Sequence, residues 1–179
     1  ASRWVSASTS RFSMRSAGIQ SAASVLLRVN NDLSKELERG KFVTAFYAVL
    51  QHASGRLRCA RAGHPPALLA NAGDGSLMCL EGAGLALGVG ENQAFAKTMR
   101  EYELVIPQGG VLMLYTDGLT EAMDAAKQQF GDARLHEALL HSASFSAHEI
   151  VDYVLSLVRE HLGRASADDD MTLIVVKRL

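Results

Sequence analysis

Cysteine and proline are scarce in this chain, with two of the first and three of the second in 179 residues. Two cysteines, Cys59 and Cys79, allow one disulfide at most and exclude the multiply cross-linked class of small secreted domains. Both fall in strand-like runs and read as reduced core residues. No Cys/His spacing of a zinc site occurs, and the six histidines are scattered without a His-x-x-x-His pair. Charge of one sign is missing as well: 18 basic against 19 acidic residues leave a net charge of −1. Capture of nucleic acid or anionic lipid by bulk electrostatics needs a basic excess and is excluded. No apolar run approaches the roughly 20 residues of a membrane span, and the opening residues lack the apolar core of a signal peptide, so the default compartment is the cytoplasm. Nucleophile motifs are absent too, with no Gly-x-Ser-x-Gly and no histidine near Cys59 in sequence. An enzyme built on this chain would attack with a metal-bound water rather than with a side chain.

What is present suits one folded domain. The composition is 48% hydrophobic and 21% charged, and a chain of this size buries roughly 70% of its unfolded surface. The first residue is Ala1, in a Ser- and Arg-containing stretch, which reads as a piece of something longer. Residues 1–20 are expected to contain helix, because Trp4, Phe12 and Met14 need a core. From 21 to 37 apolar residues recur at helical spacing (Ala22, Val25, Leu26, Val29, Leu33, Leu37), and Gly40 stops the run. Residues 43–50 are apolar on both faces and read as a central strand, with 56–62 as the return strand of a hairpin. Residues 67–70 and 76–80 form a second hairpin around Asn71-Ala72-Gly73-Asp74-Gly75. Two more strands, 102–106 and 111–115, are joined by Pro107-Gln108-Gly109-Gly110. Helices are expected around 134–141 and over 147–161, the second burying Ile150, Val151, Val154, Leu155 and Val158. A strand over 171–177 ends the chain. Consecutive hairpins with helices grouped at the two ends imply an antiparallel sheet covered by helices, an α+β class.

Two acidic clusters carry the chemistry. Tyr115-Thr116-Asp117-Gly118 follows the apolar run Val111-Leu112-Met113-Leu114, and Asp168-Asp169-Asp170 precedes Met171-Thr172-Leu173-Ile174-Val175-Val176. Taken singly, Asp117 reads equally well as a turn aspartate bonded to its own backbone, and the three aspartates as solvated loop. Adjacent carboxylates repel unless a cation or donor is close, and the strand that follows is as apolar as a central one. Side by side at the edge of one sheet, the two clusters would supply oxygen ligands to a hard metal ion. Gly118 allows close approach of backbone to a ligand. His64, in Gly63-His64-Pro65, could be a general acid but reads as a histidine packed at a turn. The glycines of 82–90 lack the Gly-Lys-Ser/Thr ending of a phosphate loop and read as a structural turn. An aspartyl nucleophile at position 117 would want a second acid two residues on, where Leu119 stands.

Five segments in order resemble the SpoIIE/RsbU branch of the metal-dependent (type 2C, PPM) serine/threonine phosphatases. They are Phe42-Val43-Thr44-Ala45-Phe46-Tyr47, Ala60-Arg61-Ala62-Gly63-His64-Pro65-Pro66, Leu114-Tyr115-Thr116-Asp117-Gly118-Leu119-Thr120-Glu121-Ala122, Phe130-Gly131 and Asp169-Asp170-Met171-Thr172-Leu173. The resemblance implies an α-β-β-α sandwich of two antiparallel sheets flanked by helices. It implies Mn²⁺ or Mg²⁺ at the sandwich edge, activating water for in-line attack on phosphoserine or phosphothreonine. Asp117 and Asp169 would be metal ligands, with Gly118, Asp170 and Thr172 in supporting positions. The usual substrate in this bacterial signalling branch is a phosphorylated anti-sigma-factor antagonist of STAS fold, and a sensor or receiver domain commonly precedes the phosphatase.

The family also carries an Asp-Val-x-Gly-His-Gly segment whose Asp bridges two metals, and residues 1–179 contain none. The expectation is a single phosphatase domain lacking its N-terminal metal motif in this stretch. A non-catalytic relative serving as a protein-interaction module, or a swapped or partial domain, are the alternatives. Without the bridging carboxylate, these residues alone are expected to hold metal weakly.

Overall fold

The computed structural model describes residues 21–38, 40–82, 84–89, 92–163, 165 and 169–179. The helix expected within 1–20, and Asp168 of the second acidic cluster, lie outside the described residues. In chain order the elements are α1 (Ala22–Glu36), β1 (Ala45–Gln51), β2 (Arg56–Ala62), β3 (Leu68–Asn71), β4 (Ser76–Cys79), α2 (Asn92–Thr98), β5 (Glu101–Val105), β6 (Gly110–Tyr115), α3 (Asp117–Thr120), α4 (Asp132–Ser142), α5 (Ala147–Leu162) and β7 (Leu173–Lys177). No helix among the described residues is long and apolar enough to cross a membrane.

The strands form two antiparallel sheets, ordered β1-β2-β5 and β4-β3-β6-β7. Alternation along each strand sends side chains to opposite faces, and the cores record it. On β2, Leu57 and Cys59 join Leu69 and Leu112 between the sheets, while Ala60 and Ala62 meet Ala22 and Leu26 of α1 and Phe95 of α2. On β6, Val111, Met113 and Tyr115 face Leu135 and Leu139 of α4 and Ile150, Val154 and Val158 of α5. The layers are therefore helix, sheet, sheet, helix, as the resemblance implies. Both cysteines are free. Burial first, with the charge of Glu101, pushes the Cys59 thiol up to about 11, so it packs as a small apolar group.

Several sequence expectations are corrected. The run 43–50 does not make a central strand: β1 has a partner on one side only among the described residues, and Leu50 stays 41% exposed. Likewise β7, apolar as it is, is the outer strand of its sheet among the described residues. Strands β5 and β6 are not a hairpin, because residues 107–110 carry the chain from one sheet to the other. Arg178, just past β7, straps this crossing, donating from its guanidinium to Ile106 O (2.8 Å) while its carbonyl accepts from Gly109 N (2.8 Å). The helices α2 and α3 lacked a sequence signal, being seven and four residues long. Within α1, Val29 faces outward at 38% exposure and Asn30 is buried instead.

Candidate functional site

Strand β6 is almost wholly buried, and its ladder with β7 ends at the pair Tyr115–Leu173. Immediately beyond, Thr116 remains extended (φ −93°, ψ 156°) and the chain turns into α3, with Asp117 as its first residue and Glu121 N donating to Asp117 O at 2.8 Å. Thr116 continues the join to the last strand: its N–H donates to Thr172 O (3.0 Å), its Oγ1 donates to Asp170 O (3.2 Å), and Thr172 N donates to that Oγ1 (2.8 Å). Gly118 lies against the same segment, where an added Cβ would sit 2.6 Å from Asp170 O and 3.6 Å from the Asp169 carbonyl carbon. Asp117, Gly118, Asp169, Asp170 and Thr172 thus meet at one end of the four-stranded sheet, as the sequence reading requires.

The carboxylates at this end are exposed. Asp117 Oδ1 accepts from Gly118 N (3.1 Å) and Asp169 Oδ1 from Asp170 N (2.7 Å), so each also makes the turn contact of the plainer reading. The ion pairs Lys35–Asp32, Lys41–Glu38, Arg58–Glu103 and His148–Asp152 draw on other carboxylates. Asp169 and Asp170 precede an outer strand and do not enter a packed sheet interior. Among the described residues no group of three or more His, Cys, Asp or Glu side chains is gathered closely enough to hold a metal.

The scaffold behind Asp117 is braced through α4. Phe130 N donates to Ala122 O and Gly131 N to Thr120 O, both at 2.8 Å. Tyr115 donates its hydroxyl to Asp132 at the start of α4 (3.2 Å); burial first, then the Asp132 charge, raises its phenol above the usual range. Asp124 Oδ1 accepts from Ala126 N and Gln128 N and closes the intervening turn. His161 of α5 holds the turn's far side: its Nε2 donates to Gln128 O (2.9 Å), because its Nδ1 accepts from Arg134 (2.7 Å), which can only donate. A cavity of about 580 Å³ between α4 and α5, lined by Phe130, Arg134, His141, Tyr153, Leu157 and His161 among others, shares no residue with the acidic edge.

His64 behaves as a packed histidine. Its Nδ1 lies 3.1 Å from Pro65 O and its ring meets Phe46 edge-on at 6.4 Å. Arg61 donates to the carbonyls of His64 and Gly82, and the described part of the 82–90 loop is tied down by Gly63 N to Gly84 O (3.0 Å) and Gly88 N to Asn30 Oδ1 (2.9 Å). That loop is structural. Sequence reasoning missed Thr116, whose one available signal was a threonine at a helix N-cap position directly before the candidate ligand. It also missed Asn30, whose amide further donates to Asn92 Oδ1 (2.8 Å) and so links α1 to α2.

Comparison with known proteins gives a consistent picture. The family model "Stage II sporulation protein E (SpoIIE)" matches residues 5–179. Protein IcfG of Synechocystis sp. is 34% identical over 155 residues, which is 85% of this chain and 23% of that protein. Phosphoserine phosphatase RsbU of Bacillus subtilis is 26% identical over 157 residues, 86% of this chain and 44% of that protein. The chain therefore spans less than half the length of either relative. Among solved structures, the SiaA-PP2C domain of Pseudomonas aeruginosa superposes with a TM-score of 0.75 at 20% identity, covering 88% of this chain and 61% of that one. The two-sheet sandwich is the fold of that PP2C domain.

Proposed function

The chain belongs to the SpoIIE family, and from that membership we propose that residues 1–179 form the larger part of one phosphatase domain that hydrolyses phosphoserine or phosphothreonine on a regulatory phosphoprotein. Asp117 and Asp169 are its metal-ligating carboxylates in this reading. The observation that carries it is the meeting of the two acidic segments, 54 residues apart at Thr116 and Asp170, at one strand end. The fit of the site to Mn²⁺ or Mg²⁺ rests on its donor set, exposed carboxylates with hard oxygen atoms on two segments whose backbones the missing Cβ of Gly118 lets into contact. A metal held by Asp117 and Asp169 would supply Lewis acidity and a water of lowered pKa. The chain's own residues do the rest: Asp117 and Asp169 project carboxylates from adjacent strand ends, Gly118 lets the two backbones close, and Asp170 and Thr172 anchor the second segment to the first.

The substrate proposed is a phosphorylated anti-sigma-factor antagonist of STAS type or a similar phosphoprotein, in the cytoplasm, under control of a preceding sensor or receiver domain. The printed description of RsbU as a phosphoserine phosphatase supports the phosphoserine half of this. A second reading is an inert phosphatase-like interaction module, favoured by one observation: among the described residues the acidic edge gathers no three His, Cys, Asp or Glu side chains.

Hydrolysis of p-nitrophenyl phosphate by the full natural chain separates the two. The phosphatase reading expects Mn²⁺-dependent turnover that Asp117→Asn reduces by more than the 10- to 100-fold typical of losing an outer-shell partner. No turnover, or turnover indifferent to that substitution, supports the interaction module instead.

A further inference from the structure

Thr116 stands at the N-cap of α3, where a threonine hydroxyl ordinarily accepts from the second or third N–H of its own helix. It makes no such bond. The hydroxyl is committed across the sheet instead, donating to Asp170 O (3.2 Å) and accepting from Thr172 N (2.8 Å). Both bonds lie beyond the last ladder pair, Tyr115–Leu173. They extend the join between β6 and β7 to the residues that carry the carboxylates, where strand ends otherwise fray.

Something must hold the ends together there. Asp117, Asp169 and Asp170 place like charges on both of the segments that meet here, and like charges favour separation of the start of β7 from the end of β6. Gly118 permits contact by leaving space for Asp170 O, but a glycine supplies no attraction. Thr116 does: its backbone N–H gives one bond, to Thr172 O (3.0 Å), and its hydroxyl adds two, one on either side of Met171, of which the bond to Asp170 O is the one that reaches the acidic residues. From this we infer that Thr116 is a positioning residue for the proposed metal site: its hydroxyl sets the spacing and orientation of Asp169 and Asp170 relative to Asp117. The inference rests on the metal reading above and adds a residue to it.

The test compares parent, Thr116→Val, Thr116→Ser and Asp117→Asn in the full natural chain. Mn²⁺ affinity is read by calorimetry, and exchange of the Thr172 amide by NMR without metal. Valine keeps the shape and drops the hydroxyl, so Mn²⁺ affinity is expected to fall about 10- to 100-fold with faster Thr172 exchange, and activity to recover at high Mn²⁺. Serine keeps the hydroxyl and is expected to stay close to the parent in both readouts. The inference is overturned if Val binds Mn²⁺ like the parent, or if Ser is as weak as Val, which would assign the effect to the methyl group. Should Val fail to fold, Thr116→Ala replaces it, and equal affinities of Ala and Ser overturn the inference. A parent that binds Mn²⁺ no better than Asp117→Asn overturns the metal reading and this inference with it, an outcome distinct from a metal-binding parent matched by Val.

Discussion

Gly118 has no room for a methyl group. An added Cβ would lie 2.6 Å from Asp170 O and 3.1 Å from its carbonyl carbon, and both atoms belong to backbone that cannot swing aside as a flexible side chain could. Gly118→Ala must therefore push β7's approach off the end of β6, at a cost of about 1–3 kcal/mol typical of overpacking. A lower Tm together with weaker Mn²⁺ response is the expected outcome; unchanged values of both would mean that the two segments are free to separate. At this scale the sequence singled out Asp117, Asp169 and Gly118 by type and position, and the structure brings their segments together at one strand end. Asn30 was opaque, because it sits in Asn30-Asn31-Asp32 and looked like the wet face of α1. It is buried because its amide has two partners that come from residues 88 and 92, distant in sequence.

Among the elements, α5 shows the clearest agreement between local sequence and structure. Ser146 and Glu149 form a reciprocal capping box, Ser146 N donating to Glu149 Oε2 (2.8 Å) and Glu149 N to Ser146 Oγ (3.3 Å). The hydrogen bond from the Ser146 side chain first, then that from its backbone, holds the Glu149 carboxyl below the usual carboxylate value. A depressed folded pKa means that the contribution is present above the unfolded value of about 4.3 and is lost as pH falls through the folded one. The start of α5 is thus expected to loosen as pH falls below the unfolded Glu value, seen as faster amide exchange at 147–150. Ser146→Ala removes about 1 kcal/mol of capping and moves the Glu149 titration back up, which NMR of its side-chain carboxyl reads directly. An unmoved titration would separate the cap from the shift. Elements such as β1 and β7 were legible as strands but not as outer ones. An apolar run reports that a strand packs on both faces, whereas its place in the sheet depends on hydrogen-bonding partners that periodicity does not encode. The seven-residue α2 is too short to show a helical period.

For the whole molecule, the four-layer arrangement followed from the family resemblance, while strand order by itself suggested one meander. The split into two sheets turns on residues 107–110, and on Arg178, which ties that crossing to the end of β7. One strand therefore joins two distant places: β7 begins at the acidic edge and ends at the sheet crossing, packed along the way on α5 through Leu173 and Val175. A cation held between Asp117 and Asp169 would lock the first of these contacts, and its binding energy would oppose unfolding of the sheet and α5 together rather than of a loop. Mn²⁺ is then expected to raise the global Tm of the full natural chain, with a stabilisation approaching about 2.7 kcal/mol at a concentration a hundred times its Kd. Far-UV and near-UV circular dichroism should show the same shifted midpoint, because secondary structure and packing melt as one unit. Asp117→Asn and Asp169→Asn should each abolish most of the shift while leaving the metal-free midpoint nearly in place, since both carboxylates are exposed. A Tm that rises equally in the parent and in both variants would place the bound cation elsewhere and remove the physical basis for treating this strand end as the metal centre.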